Sequence, residues 1–115
     1  MHELGLCEGV VETVERRAAG RPVDGLGLRV GTLHRVHRDA FEQSFQMAAA
    51  GSVADGASVD LVIVPVQGWC RDCERDFSSS DPLPICPACG GPAVSLSGGD
   101  ELMVEWIRYR EEAEA

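Results

Sequence analysis

Cys70-Arg71-Asp72-Cys73 and, after a gap of twelve residues, Cys86-Pro87-Ala88-Cys89 decide how this chain is organised. Each close pair of thiols can take two corners of a tetrahedron, the arrangement a d10 cation accepts. Soft sulfur selects zinc or iron, and a closed four-sulfur shell has no open position for a substrate. Pro87 and Gly90 favour a tight turn around the second pair. Rubredoxin-like iron sites use similar knuckles, but the first knuckle, Cys70 to Glu74, lacks both residues, which favours structural zinc. A disulfide pairing is the remaining reading. The quartet predicts a metal-stapled knuckle and, by itself, no function.

The knuckle sits in a segment, 67–93, that is poor in apolar residues apart from Trp69, Phe77, Leu83 and Ile85. About 27 residues cannot bury enough surface to fold unaided. Metal ligation, on the order of 10 kcal/mol in small zinc modules, supplies the missing stability. On either side the patterning is that of an ordinary small domain. Leu4, Cys7, Val11, Val14 and Ala18 recur at helical spacing, with Leu6 and Val10 widening the stripe, and predict a helix from His2 or Glu3 to Ala19, closed by Gly20 and Pro22. Leu26, Leu28 and Val30 alternate as a strand over 26–33. Phe41, Phe45 and Ala48, with Met47 as core filling, predict a second helix over 38–50. Val59 to Val66 reads as a strand buried on both faces or nearly so. Leu102, Val104 and Trp106 mark a last strand, 101–109, before a frayed acidic tail, 111–115.

The fold expected is therefore α+β: a small three-stranded mixed sheet with two helices, interrupted by a zinc-ribbon-like four-cysteine knuckle domain. The α/β domain would span 1–66 and be completed by 94–115, with the zinc-binding domain at 67–93. Cys7 lies on the apolar face of the first helix, where it reads as a buried, inert thiol.

Ten cationic residues face nineteen acidic ones, a formal net charge of −9. Nucleic-acid affinity comes largely from Lys and Arg neutralising phosphates, so this balance disfavours a nucleic-acid-binding zinc ribbon. Hydrolysis at zinc would need an open coordination position, which four thiolates do not leave. Rubredoxin-like electron transfer would need iron. No apolar run approaches the ~18 residues of a membrane span, and the start lacks the basic and apolar segments of a secretory signal. A cytoplasmic protein with thiols kept as metal ligands is the expectation.

Three histidines exist: His2, His34 and His37. His34 and His37 read as surface or capping residues in the loop before the second helix. His2 differs, because its imidazole can chelate together with the α-amine of Met1, its own deprotonated amide nitrogen and the amide of Glu3. Four nitrogens in a plane suit Ni(II) or Cu(II). A histidine at that position is also, commonly, only a surface residue.

Met1-His2-Glu3-Leu4, Gly31-Thr32-Leu33 with Val36, Ala40-Phe41 with Phe45, the cysteine quartet, and Gly99-Asp100-Glu101-Leu102 occur in one order. Over essentially the whole chain this resembles the HypA/HybF family, nickel metallochaperones of [NiFe]-hydrogenase maturation. The resemblance implies a nickel site at Met1, His2 and Glu3 and a structural zinc at Cys70, Cys73, Cys86 and Cys89. It also implies a non-enzymatic carrier, monomeric or weakly dimeric, working with a HypB-type GTPase and the hydrogenase large-subunit precursor, in some organisms serving urease. His34 stands where many members carry Ser, Arg38-Asp39 where Pro-Glu is common, and Gly5 where Ser is common. None of these touches either metal set.

Overall fold

The two amphipathic stripes become two helices packed on each other. A computed structural model of the chain describes residues 2–80 and 84–111. Helix α1 (His2–Ala18) buries Cys7, Val10, Val11, Val14 and Ala18, the face its periodicity marks. It ends where Ala19 and Gly20 take φ of +50° and +90°, a left-handed exit that costs glycine nothing sterically. Glu12 and Arg16 pair at 3.2 Å on the wet side.

Helix α2 (Arg38–Ala49) buries Phe41, Phe45 and Ala49, each phenylalanine worth roughly 2–3 kcal/mol of burial. The Cys7 thiol lies 3.5 Å from the Phe41 carbonyl oxygen, inside the α1–α2 contact. Met47, expected in the core, is instead 67% exposed. It lies two positions past Phe45, about 200° around the helix from the buried stripe.

The first sheet is mixed, with strands in the order β2 (Ser58–Val64), β1 (Val23–Gly31), β6 (Leu102–Tyr109). Strand β1 (Val23–Gly31) is central and starts three residues before the expected Leu26. The Arg110 amide donates to the Pro22 carbonyl and the Gly31 amide to the Glu101 carbonyl, so β6 (Leu102–Tyr109) runs antiparallel to β1. The hydroxyl of Ser58, which opens β2, donates to the carbonyl of Asp24 near the start of β1, and with β6 antiparallel the mixed sheet makes β2 the parallel neighbour of β1. β2 is an edge strand, and Ser58, Asp60 and Val62 are exposed. The expected burial on both faces does not hold, because a β-branched run looks the same at an edge as in the middle.

Pro65, which has no N–H to donate, separates β2 from β3 (Val66–Cys70). A second sheet then forms in the order β4-β3-β5, with β4 at Arg75–Ser79 and β5 at Val94–Ser97. Both pairings are antiparallel: Val66 faces Ser79 and Cys70 faces Arg75, while Gln67 faces Ser97 and Cys70 faces Val94.

The chain divides into two compact units. The first gathers the described residues of Met1–Leu28, Val36–Leu61 and Val104–Ala115; the second gathers those of Arg29–Arg35 and Val62–Met103. The second unit thus reaches beyond the expected 67–93 on both sides. β5 pairs along β3, and the Leu33 amide donates to the Gly99 carbonyl, so these flanks belong to it.

Candidate metal centre

The cysteine quartet closes on itself. The Sγ atoms of Cys70, Cys73, Cys86 and Cys89 all lie within 4.8 Å of one another. Cys70 and Cys89 sulfurs are 3.8 Å apart and those of Cys73 and Cys86 are 4.0 Å apart. A tetrahedron with Zn–S bonds near 2.3 Å has edges of about 3.8 Å, so the four thiols fit a zinc ion. Cys70 and Cys86 are buried, Cys73 is half-buried and Cys89 is exposed.

Each pair is held by its own backbone turn. Cys70 closes β3, and the Cys73 amide donates to its sulfur at 3.4 Å. Gly91 likewise donates to Cys89 Sγ at 3.4 Å. In the second knuckle the Gly90 amide donates to the Cys86 carbonyl, and the Cys86 amide to the Gly91 carbonyl. These turns aim amides at sulfur, which favours thiolate. The amides of Cys89 and then Ala88 bring the Cys86 thiol down to about 7, although burial opposes them. Cys73, sharing hydrogen bonds with Cys89 and Cys70, is pushed up to about 12. A bound cation must displace the protons these thiols still carry.

At the amino end, His2 opens α1 and is exposed, and Glu3 follows it half-buried. Met1, the third member of the expected nickel set, lies outside the described residues. Glu3 Oε2 accepts the backbone N–H of His37 at 3.5 Å. Its own backbone N–H first, then the His37 amide and the His2 and His37 side chains, hold the Glu3 carboxyl below the usual range against partial desolvation. His37 is the N-cap residue of α2, but its side chain makes no capping bond. Residue type alone could not have linked it to Glu3, since the contact is through a main-chain amide. His34 Nε2 lies 2.9 Å from the Asp100 carbonyl oxygen within the second unit. Cys7 is fully buried, and burial followed by the Glu3 charge pushes its thiol up to about 11.

The chain is similar to proteins of one kind throughout. The profile of the family described as hydrogenase/urease nickel incorporation, metallochaperone, hypA matches residues 1–109. The hydrogenase maturation factor HypA of Dechloromonas aromatica is 36% identical over 110 residues, covering 93% of this chain and 97% of the relative. The hydrogenase maturation factor HypA 2 of Bradyrhizobium diazoefficiens is 35% identical over 90% of this chain and 95% of its own. HybF of Shigella boydii is 34% identical over 93% and 97%. Among solved structures, that of the nickel metallochaperone HypA from Helicobacter pylori superposes with a TM-score of 0.64, at 20% identity, over 97% of this chain and all of that one. The fold is shared, and the sequence relationship is shown by the profile and the relatives: the chain belongs to the HypA/HybF family of hydrogenase maturation factors.

Proposed function

We propose that this protein carries Ni(II) on its amino end, through the α-amine of Met1, the amide and imidazole of His2 and the amide of Glu3, and gives it up during maturation of a [NiFe]-hydrogenase. The cysteine quartet holds a structural zinc, which folds the second unit and leaves no coordination position for the cargo. The protein is a carrier rather than a catalyst. It is cytoplasmic, monomeric or weakly dimeric, and it works beside a HypB-type GTPase and the hydrogenase large-subunit precursor, with urease as a second recipient. No helix among the described residues is long and apolar enough to cross a membrane.

One observation beyond the family membership carries the terminal site. α1 begins at His2, and the first four N–H groups of a helix have no partner one turn back. The amides of His2 and Glu3 can therefore lose their protons to a metal without breaking a helical hydrogen bond, Glu3 giving up only the bond from its own N–H to its carboxylate. Planar nitrogen ligation suits d8 Ni(II). Ligands on a chain end can be taken over one at a time by a recipient, which reconciles tight holding with release.

The test is metal stoichiometry on untagged protein whose first residue is verified as Met1, comparing wild type with His2→Ala and with a short amino-terminal extension. Both variants are expected to keep one zinc and the fold and to lose specific nickel. Nickel retained at wild-type affinity in either variant would overturn the terminal site.

A further inference from the structure

Trp69 stands 41% exposed in the middle strand of the second sheet. Side chains alternate along a strand, so it points to the face opposite Cys70. The register places Asp76 of β4 and Ser95 of β5 directly beside it, with Gln67 between Ser78 and Ser97 one step along. The Phe77 ring takes the other face, where it lies on Gly68. The Trp69 side carries a shallow concavity of about 360 Å³. Among the described residues Asp76 is the one ionisable side chain lining it, and it is exposed, with no hydrogen bond or ion pair among them. Gln67 Nε2 donates to Ser78 Oγ at 3.4 Å and tidies the far end.

We propose that this face docks an arginine side chain presented by an extended segment of a partner protein. An indole is the strongest cation acceptor among aromatic side chains, and guanidinium stacks on it face to face. Directly opposed residues on antiparallel strands have Cβ atoms about 5 Å apart. A planar guanidinium lying on Trp69 therefore meets the Asp76 carboxylate at its edge and can pair with it through two N–H groups. Ser95, Ser97 and Gln67 offer neutral oxygens to the remaining N–H donors. A chain of net charge −9 attracts a cationic segment over a longer range. Neutral sugars also stack on tryptophan beside hydroxyls, but they have no need of an unpaired carboxylate at the ring. This surface lies wholly within the cysteine unit and stands whether or not nickel binds at residues 1–3.

The experiment follows the Trp69 indole N–H resonance in the zinc-loaded full chain, identified with Trp69→Phe, during titration with a capped Ser-Arg-Ser-Arg-Ser peptide. The controls are the same peptide with citrulline for arginine, and cellotriose. The arginine peptide is expected to shift the indole signal saturably in the millimolar range, citrulline to bind roughly tenfold more weakly, and Asp76→Asn to remove the difference between the two. Zinc content and the resonances of α1 and α2 report that the variants remain folded. Equal binding of both peptides, the absence of any Trp69 shift, or a shift with cellotriose alone would each overturn the proposal, the last in favour of a carbohydrate surface. Nickel stoichiometry is expected to stay unchanged in Asp76→Asn, which separates failure here from failure of the terminal nickel site.

Discussion

Glu74 and Gly90 occupy the same place, one residue past the second cysteine of each knuckle, and both are left-handed, with φ of +53° and +73°. The first knuckle therefore makes the same turn as the second while carrying a side chain for which that conformation costs about 1–2 kcal/mol. Glycine there would relieve this but would itself lose about 0.5–1 kcal/mol of unfolded-state entropy. Glu74→Gly is thus expected to stabilise the unit slightly, by less than about 1 kcal/mol. Gly90→Ala meets no atom within 4 Å, so only the backbone penalty remains, about 1 kcal/mol. Because metal and folding are linked in such modules, competition against a chelator should show zinc affinity about fivefold lower in Gly90→Ala and equal or higher in Glu74→Gly.

Several glycines lie against other groups, and for Gly27, Gly68 and Gly31 what each touches predicts how badly alanine is tolerated. A Cβ on Gly27 would meet the Trp106 indole, one on Gly68 the Phe77 ring, and one on Gly31 the backbone of Gly99 and Asp100. Rings can shift at a cost of about 1–3 kcal/mol. Backbone held by hydrogen bonds from Gly31 to Glu101 and from Leu33 to Gly99 cannot move without breaking them. Denaturant unfolding should rank Gly31→Ala as the most damaging, at about 3 kcal/mol or more. Gly27→Ala should also red-shift tryptophan emission as the indole of Trp106 lifts into water. Equal costs at all three sites would contradict the ranking.

Much of this was legible in the residues, and the parts that were not share physical causes. The α1 stripe and the cysteine spacing are codes of period and chelation, and both hold. Strand β1 begins earlier than expected because Gly25 and Gly27, poor strand residues, are present to admit Arg108 and Trp106 across the sheet. Strands β4 and β5, Arg-Asp-Phe-Ser-Ser and Val-Ser-Leu-Ser, have little hydrophobic alternation to detect. They flank a four-cysteine cluster rather than carrying a wide apolar stripe of their own, so composition is silent about them. The exposed Met47 and the edge position of β2 are tertiary outcomes that local pattern does not encode. The Glu3–His37 contact joins a carboxylate to a main-chain amide thirty-four positions away, which no residue type announces.

Burial gives Cys7 a measurable alkaline signature. Its thiol is pushed up to about 11 in the folded protein from an ordinary value near 9. The unfolded chain therefore releases this proton first. Its contribution to stability is complete below about pH 9 and is lost progressively as pH rises toward about 11. Cys7→Ala is expected to cost about 1 kcal/mol at neutral pH through lost packing and to flatten the fall in stability over that alkaline window. In the zinc-loaded native protein at pH 8, a thiol reagent should leave Cys7 unmodified until the first unit unfolds. Rapid native labelling of Cys7 would show that its side chain is accessible.

The nickel reading makes a demand on α2 that can be measured directly. Glu3 contributes an amide nitrogen to the proposed chelate, while its carboxylate accepts the His37 N–H that opens α2. A metal that fixes the backbone of residues 1–3 must either keep that carboxylate on His37 or pull it away. In both cases the environment of the His37 amide changes, although His37 is no ligand in the proposed set. Planar Ni(II) is diamagnetic, so backbone amide resonances remain observable. Stoichiometric Ni(II) should shift the His37 amide of wild-type protein and leave the amides of β4 and β5 in place. In Glu3→Gln the neutral side chain is a weaker acceptor than a carboxylate, so the His37 shift should shrink although the nickel is still bound through nitrogen. In His2→Ala both the metal and the shift should disappear. Lowering the pH through the range in which imidazoles and α-amines take up protons should release nickel and return the His37 signal to its metal-free position. A His37 amide indifferent to nickel while nickel is demonstrably held by His2 would uncouple the terminal chelate from the second helix and confine any signal of loading to the chain end itself.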